Sequence, residues 1–354
     1  MADSAAPTGA LRDSSVDRSD TAQRPSGRTA PRAPGDRRIA LVMGSGGIVG
    51  GAFHAGVLKA LEDTWGIDAR SVDLVVGTSA GSISGALVAA GLSPGDLFRR
   101  ETRQPLSTQG EQLLGAARAK RGPKREAAAS FGAPMSPQVM MLALTWPGSV
   151  APGTAMASML PRGGIPTSHV ADLVAGLFGE AWTTGVRLRV PVVDLDTGKR
   201  VVFDASGPAT PSQAVAASCA VPAVFEPVEI DGASYIDAGV HSSDNLDVLR
   251  GEAYDLVVVS SPMGMAELPR TAWPWAVPLT AATTWGWSAL RSVSRAATQC
   301  ERLSLTECDR VEIVMPAAAD LDAMGNNLLD PQRRPAVALQ AYATASDQFA
   351  AHPL

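Results

Sequence analysis

A chain of 354 residues is long enough to bury a large core, as one big α/β domain or two smaller ones. Hydrophobic residues make up 45% and charged residues 18%, with a net charge of −5 and a pI near 5.5, a globular balance that argues against a nucleic-acid partner. Cys219, Cys300 and Cys308 have neither metal-ligand nor redox spacing and read as buried thiols in a reducing compartment. The start carries no basic segment followed by an apolar run, and no breaker-free apolar stretch of about 20 residues occurs, so neither a signal peptide nor a transmembrane helix is expected. A cytoplasmic location is expected, either free or peripheral at the membrane.

Residues 1–37 are rich in Ala, Pro, Ser, Arg and Asp and nearly lack large apolar side chains. Such a segment cannot offset its ordering entropy, so a disordered tail is expected, with order beginning at Arg38. Its five aspartates argue against a transit peptide. Ile39 to Met43 reads as a first strand, followed by the glycine loop Gly44-Ser45-Gly46-Gly47-Ile48-Val49-Gly50-Gly51 and the helical pattern Phe53, Val57, Leu58, Leu61, Trp65. That order suits backbone N–H groups converging on an anion. A dinucleotide fingerprint fails, because Val49 stands where its third glycine belongs and Asp63 falls inside the helix.

Val72 to Val76 is the next strand, ending in Gly77-Thr78-Ser79-Ala80-Gly81, with a small-residue helix from Ser82 to Gly91. Ser93-Pro94-Gly95-Asp96 is either a turn or a capped helix start. Residues 103–133 read as irregular and basic. Residues 127–161 carry no charge and are rich in Met, and they either cover an apolar pocket or form ordinary core under a long loop. Strands are expected at Val186–Val193, Arg200–Asp204, Leu256–Val259 and Val311–Met315, a hairpin at Val228–Ile236, and helices at Pro211–Ser218 and Pro335–Phe349. Residues 271–290 hold four tryptophans without charge, which fits either a lipid–water interface or a core-packing helix.

Ser79 on a tight strand-to-helix turn has the placement of a nucleophile. No histidine suits it as a base: His54 precedes it in the first helix, His169 starts a later helix, His241 lies four residues after Asp237, and His352 sits at the carboxyl end. A carboxylate accepting directly from the serine remains. Asp237, on a strand end before Ala238 and Gly239, is the best placed, with a structural aspartate capping the turn as the alternative. Burial would raise its pKa from near 4 and make it a better base at neutral pH.

The glycine loop, the elbow, the run Ala217-Ser218-Cys219-Ala220-Val221-Pro222-Ala223-Val224-Phe225-Glu226-Pro227-Val228 and Asp237-Ala238-Gly239, in this order, closely resemble the bacterial patatin-like phospholipase family over residues 38–245. The resemblance implies a three-layer α/β/α fold with a mainly parallel central sheet. It also implies hydrolysis of lipid esters by a Ser–Asp dyad with neither metal nor cofactor. Ser79 is then the nucleophile and Asp237 the proton acceptor, within hydrogen-bond reach of each other. Backbone N–H groups of Gly46, Gly47 and Ile48 form the oxyanion hole, and Gly44, Gly50, Gly77, Gly81 and Gly239 are the motif glycines. The expected organisation is a tail over 1–37, a catalytic domain over 38–250 with a variable cap at 103–165, and strands and helices at 251–354 that complete or extend it.

The sequence departs from the family at Ser45, at Val49, where a cation is usual, and at Ala238, where glycine is usual. Arg38 or another basic residue is left to replace the missing cation. The expected partner is a lipid or acyl-ester substrate, with transient membrane-interface contact through 127–161 and 271–290, the two stretches that should flank the pocket mouth. A catalytically weakened lipid-binding protein and an acyltransferase are the competing readings on the same fold.

Overall fold

Short aliphatic runs become parallel strands when both faces are covered, and five such runs do so here. In the computed structural model, β1 (Ile39–Met43), β2 (Leu74–Gly77), β3 (Arg187–Asp194), β4 (Arg200–Phe203), β5 (Val228–Ile230), β6 (Ala233–Asp237), β7 (Leu256–Ser260) and β8 (Val311–Val314) form one sheet in the order β5-β6-β3-β2-β1-β7-β8, with β4 also paired to β3. The path β3-β2-β1-β7-β8 is parallel throughout. β4, β5 and β6 add antiparallel ladders. The structure describes residues 37–119, 134–146, 148–182, 185–266 and 279–354, and for residues 118–119 and 279–287 only the backbone. The expected tail lies outside the described residues except for Arg37.

Eleven α-helices occur among the described residues: α1 (Gly47–Trp65), α2 (Ala80–Ala89), α3 (Pro94–Glu101), α4 (Thr108–Ala119), α5 (Pro137–Thr145), α6 (Pro152–Ser158), α7 (Ser168–Phe178), α8 (Pro211–Ser218), α9 (Leu279–Leu303), α10 (Ala318–Met324) and α11 (Arg334–Ala351). The strand period of two splits the core into two layers. Leu41, Met43, Val75, Leu188, Val190 and Val258 face one layer with residues of α1, α2, α7, α8 and α11. Ala40, Val42, Leu74, Val76, Val257 and Val259 face the other with Leu246, Leu249, Tyr254 and Leu305. The result is a three-layer α/β/α fold.

Two local expectations change, and one of two open readings, that of Ser93, is decided. The segment read as irregular contains α4, whose buried side is narrow, with Leu114 and Ala117 fully covered. The glycine loop is shorter than its glycines suggest, because α1 begins at Gly47. Ser93 is a helix cap: its Oγ accepts from the Asp96 N–H at 3.0 Å, with Pro94 in the first turn. The uncharged stretch folds partly into α5 and α6. Lys120, Arg121, Lys124 and Arg125 lie outside the described residues.

Candidate active site

β2 delivers the elbow. The Thr78 N–H donates to the Met43 carbonyl at 2.9 Å, which carries the β1–β2 pairing one residue past the strand. Ser79 then adopts φ 54° and ψ −119°. A non-glycine residue held there is strained, so its surroundings must enforce the conformation. Its N–H donates to Ser218 Oγ at 2.9 Å, and that hydroxyl donates onward to the Pro191 carbonyl at 3.0 Å. The Ser79 carbonyl accepts from Ser82 Oγ at 2.6 Å and Cys219 Sγ at 3.4 Å. Asn245 Nδ2 donates to Thr78 Oγ1 at 3.1 Å. Gly81 is required by close approach, because a Cβ there would overlap the Met43 carbonyl oxygen.

Asp237 ends β6, whose register on β3 pairs it with Val192. Its backbone N–H donates to the Ala220 carbonyl at 3.1 Å, and its Oδ1 accepts from the Gly239 N–H at 2.7 Å. The carboxyl is 4% exposed. Burial pushes its pKa up to about 6, and hydrogen bonds from the Ser79 side chain and the Gly239 N–H pull in the opposite direction. The aspartate therefore caps the short turn Ala238–Val240 and also meets the serine. Ala238 is not at positive φ, so alanine fits where the resemblance led one to expect glycine.

The glycine loop approaches from β1. Gly44 donates to the Ser260 carbonyl at 3.0 Å and Ser45 to the Ser243 carbonyl at 2.8 Å. Gly47 takes φ +63°, and a Cβ there would lie 2.7 Å from the Leu328 carbonyl oxygen. The first-turn N–H groups of α1 at Gly47 and Ile48 have no intrahelical acceptor. Val49 is fully buried, and its N–H donates to the Leu328 carbonyl at 3.2 Å. Arg38 cannot supply the missing cation: it precedes β1, at the end remote from the loop, and its guanidinium lies over the Tyr254 ring at 4.9 Å.

Two adjoining cavities meet at Gly47 and Ser79. One, about 370 Å³, is walled by Val221, Pro222, Val224, Val240, Met263 and Leu328 and also reaches Asp237. The other, about 500 Å³, is walled by Ile48, Ile83, Val170 and Phe225 and carries Arg100, His169 and Arg334. Arg334 binds Glu101 through Nε and Nη2 at 2.6 and 2.9 Å. His169 packs against the Phe225 ring, with centroids 6.2 Å apart. The Cys219 thiol is pushed up by burial and the nearby Asp237 charge, so it stays protonated.

The elbow, the aspartate and the loop are thus in one place. Sequence reasoning missed Ser218 as the partner of the Ser79 N–H, and Asn245 beneath Thr78. It also missed Asp244, which is fully buried behind the loop and accepts from Ser261 Oγ at 2.7 Å and Thr298 Oγ1 at 2.5 Å. These pairings join residues far apart in the chain. Only Ser218 left a trace, in the run before Asp237.

The family description "Patatin-like phospholipase" matches residues 41–250, more than half of the chain. The chain belongs to the patatin-like phospholipase family. Among solved structures it is similar to VipD from Legionella pneumophila, at 14% identity and a TM-score of 0.42, covering 90% of this chain and 68% of that one. It is also similar to the type III effector protein ExoU, at 15% identity and a TM-score of 0.32, covering 88% of this chain and 53% of that one. The chain therefore spans about half the length of the second. No curated protein matches it significantly. Family membership supports lipid ester hydrolysis as the general activity.

Proposed function

We propose that this patatin-like chain is a serine acyl hydrolase that cleaves carboxylic esters of lipids through Ser79 and Asp237. The observation that carries this reading is the buried Asp237 carboxyl, which lines the same cavity as Ser79, with the serine at the junction of that cavity and a second one. Ionised Asp237 accepts the Ser79 hydroxyl proton as Oγ attacks the ester carbonyl carbon. The carbonyl oxygen becomes an anion received by the N–H groups of Gly46, Gly47 and Ile48. The ester C–O bond breaks, and Asp237 returns the proton to the leaving alkoxide. Water then attacks the acyl-enzyme, its proton passes to Asp237, and collapse releases the fatty acid as Ser79 recovers its proton. The cavity of Val221, Pro222 and Val240 suits the acyl chain, and the wider one with Arg100 and Arg334 suits the alcohol portion.

The apolar surface beside the site fits contact with a lipid surface. Among the described residues, Met141, Leu144, Trp146, Met156 and Met159 are all more than half exposed, on a stretch without charge. α6 leans on the cavity wall, where Gly153 lies against the Val240 carbonyl. Residues 271–278 of the second uncharged stretch lie outside the described residues. No described helix is long and apolar enough to cross a membrane. Replacing Leu144 and Trp146 by Asp is expected to weaken sedimentation with phospholipid vesicles while leaving turnover of a short soluble ester within about twofold, as surface changes usually do. Residues 38–354 are read as one catalytic domain.

A panel of lipid and short-chain esters on wild type, Ser79→Ala and Asp237→Asn tests the assignment. Turnover and fluorophosphonate labelling should vanish in Ser79→Ala, and turnover should collapse in Asp237→Asn. Unchanged hydrolysis by Ser79→Ala would overturn it.

A further inference from the structure

His54 takes no part in the chemistry proposed above, yet it is a fully buried histidine next to the glycine loop. It sits on α1, ten residues beyond Gly44. One ring nitrogen, Nε2, lies 2.8 Å from the Gly44 carbonyl oxygen, and the other, Nδ1, lies 2.8 Å from Ser260 Oγ. A carbonyl only accepts, so Nε2 must carry a proton. Burial lowers the ring pKa to about 4, which leaves it neutral, and Nδ1 therefore accepts from the Ser260 hydroxyl. The hydrogen-bond network thus selects a single tautomer.

The bond has a defined mechanical effect. The carbonyl of Gly44 and the N–H of Ser45 belong to one peptide plane. His54 holds its oxygen, and the Ser243 carbonyl accepts from its N–H at 2.8 Å. The preceding N–H, that of Gly44, is held by the Ser260 carbonyl at 3.0 Å. With these groups fixed, the chain enters Gly46 and Gly47 in one direction only. Gly44 is itself buried, so losing the ring would leave its carbonyl without a partner and favour rotation of the plane. Rotation would turn an electronegative carbonyl toward the loop and re-aim the N–H groups beyond it. If packing were the only requirement at this position, an aliphatic side chain would fill it without the cost of burying two polar nitrogens.

We propose that His54 is a positioning residue: as the neutral Nε2–H tautomer it locks the Gly44–Ser45 peptide plane and thereby aims the loop N–H groups at the developing oxyanion. This rests on the serine hydrolase reading and adds a residue to it. Because the loop acts on the transition state rather than on the bound ester, the effect belongs in kcat.

The experiment compares His54→Gln, His54→Asn and His54→Leu, each checked for folding by circular dichroism. Glutamine places an amide donor where Nε2 was, asparagine reaches only the Ser260 side, and leucine supplies neither. The expected result is a kcat loss of about 10²-fold for His54→Leu and His54→Asn with KM nearly unchanged, and a value within about tenfold of wild type for His54→Gln. Fluorophosphonate labelling of Ser79 should slow in the same order. Wild-type kcat in a folded His54→Leu variant overturns the inference. Where leucine prevents folding, equal rates for the Gln and Asn variants overturn it. Nitrogen-15 NMR of the wild-type ring should show a protonated Nε2 and a bare Nδ1, and the opposite tautomer also overturns it. Failure of the hydrolase reading itself shows up separately, as wild-type turnover that does not depend on Ser79.

Discussion

Asp237 combines two roles that pull against each other. As a folded-state carboxyl raised by burial to about 6, it is a stronger base than an exposed aspartate and remains ionised above neutrality. The proposed chemistry uses that ionised form, so kcat/KM on a short soluble ester is expected to rise with pH and level off above about 6. A pH profile checks this, and a rate already flat at pH 4 would contradict it. The same burial costs stability. A carboxyl whose folded pKa exceeds its unfolded value favours the folded state below pH 4, and that contribution is lost as pH rises through about 6. Asp237→Asn is therefore expected to be more stable than wild type at pH 8, by on the order of 2 kcal/mol, with the difference fading towards pH 3. Urea denaturation at the two pH values measures it. Asp244, also raised to about 6, and Glu301, raised to about 7, both mainly by burial, add to the wild-type pH dependence and cancel in this comparison.

At the scale of elements, the strand–elbow–helix unit depends on backbone contact between β1 and the start of α2. Gly81→Ala forces a methyl group against the Met43 carbonyl and is expected to cost at least about 3 kcal/mol, since neither backbone can yield without distorting the sheet. Chemical denaturation checks the figure. Strands of continuous apolar residues, the elbow and the hairpin before Asp237 were legible in the sequence because their signals are local: apolar runs, a turn composition and a period of two. α4 was not, because a mostly exposed helix with few buried side chains carries little periodic signal. The start of α1 was misplaced because glycines, which weaken a helix by roughly 1 kcal/mol each relative to alanine, read as loop when their tertiary contacts are unknown. The clamp from Ser218 to Ser79 spans 139 residues and the one from Ser260 to His54 spans 206, and nothing in either neighbourhood announces its partner.

Across the whole molecule, the segment after residue 250 is bound into the site although it lies beyond the matched family region. β7 and β8 extend the sheet, Leu328 and Leu329 line the cavities, and α11 packs along α1. Arg334 at the start of α11 grips Glu101 at the end of α3, and the Glu101 side chain is only 5% exposed. Arg334→Ala removes the bidentate partner of this buried carboxylate and leaves it only the Arg100 Nη1 contact at 3.3 Å, so it is expected to destabilise the protein by about 2 kcal/mol, with Glu101→Gln in the same background restoring part of the loss. A double-mutant cycle by thermal or urea denaturation measures both. The residue-level site is thus held at its outer rim by the C-terminal helix.

β3 carries both registers of the proposed dyad. Val76, three residues before Ser79, pairs with Arg189, and Asp237 pairs with Val192, three residues further along the same strand. A strand advances about 3.3 Å per residue, so the spacing between the two acting groups is written into one rigid stretch of backbone. Among its described residues, the segment between α4 and α7 contributes no strand to that ruler. Exchanging only the exposed faces of α5 and α6, with Met135 kept where it packs against Ile236 and Ala238, is then expected to change which molecules reach the proposed site while Ser79 and Asp237 keep their distance.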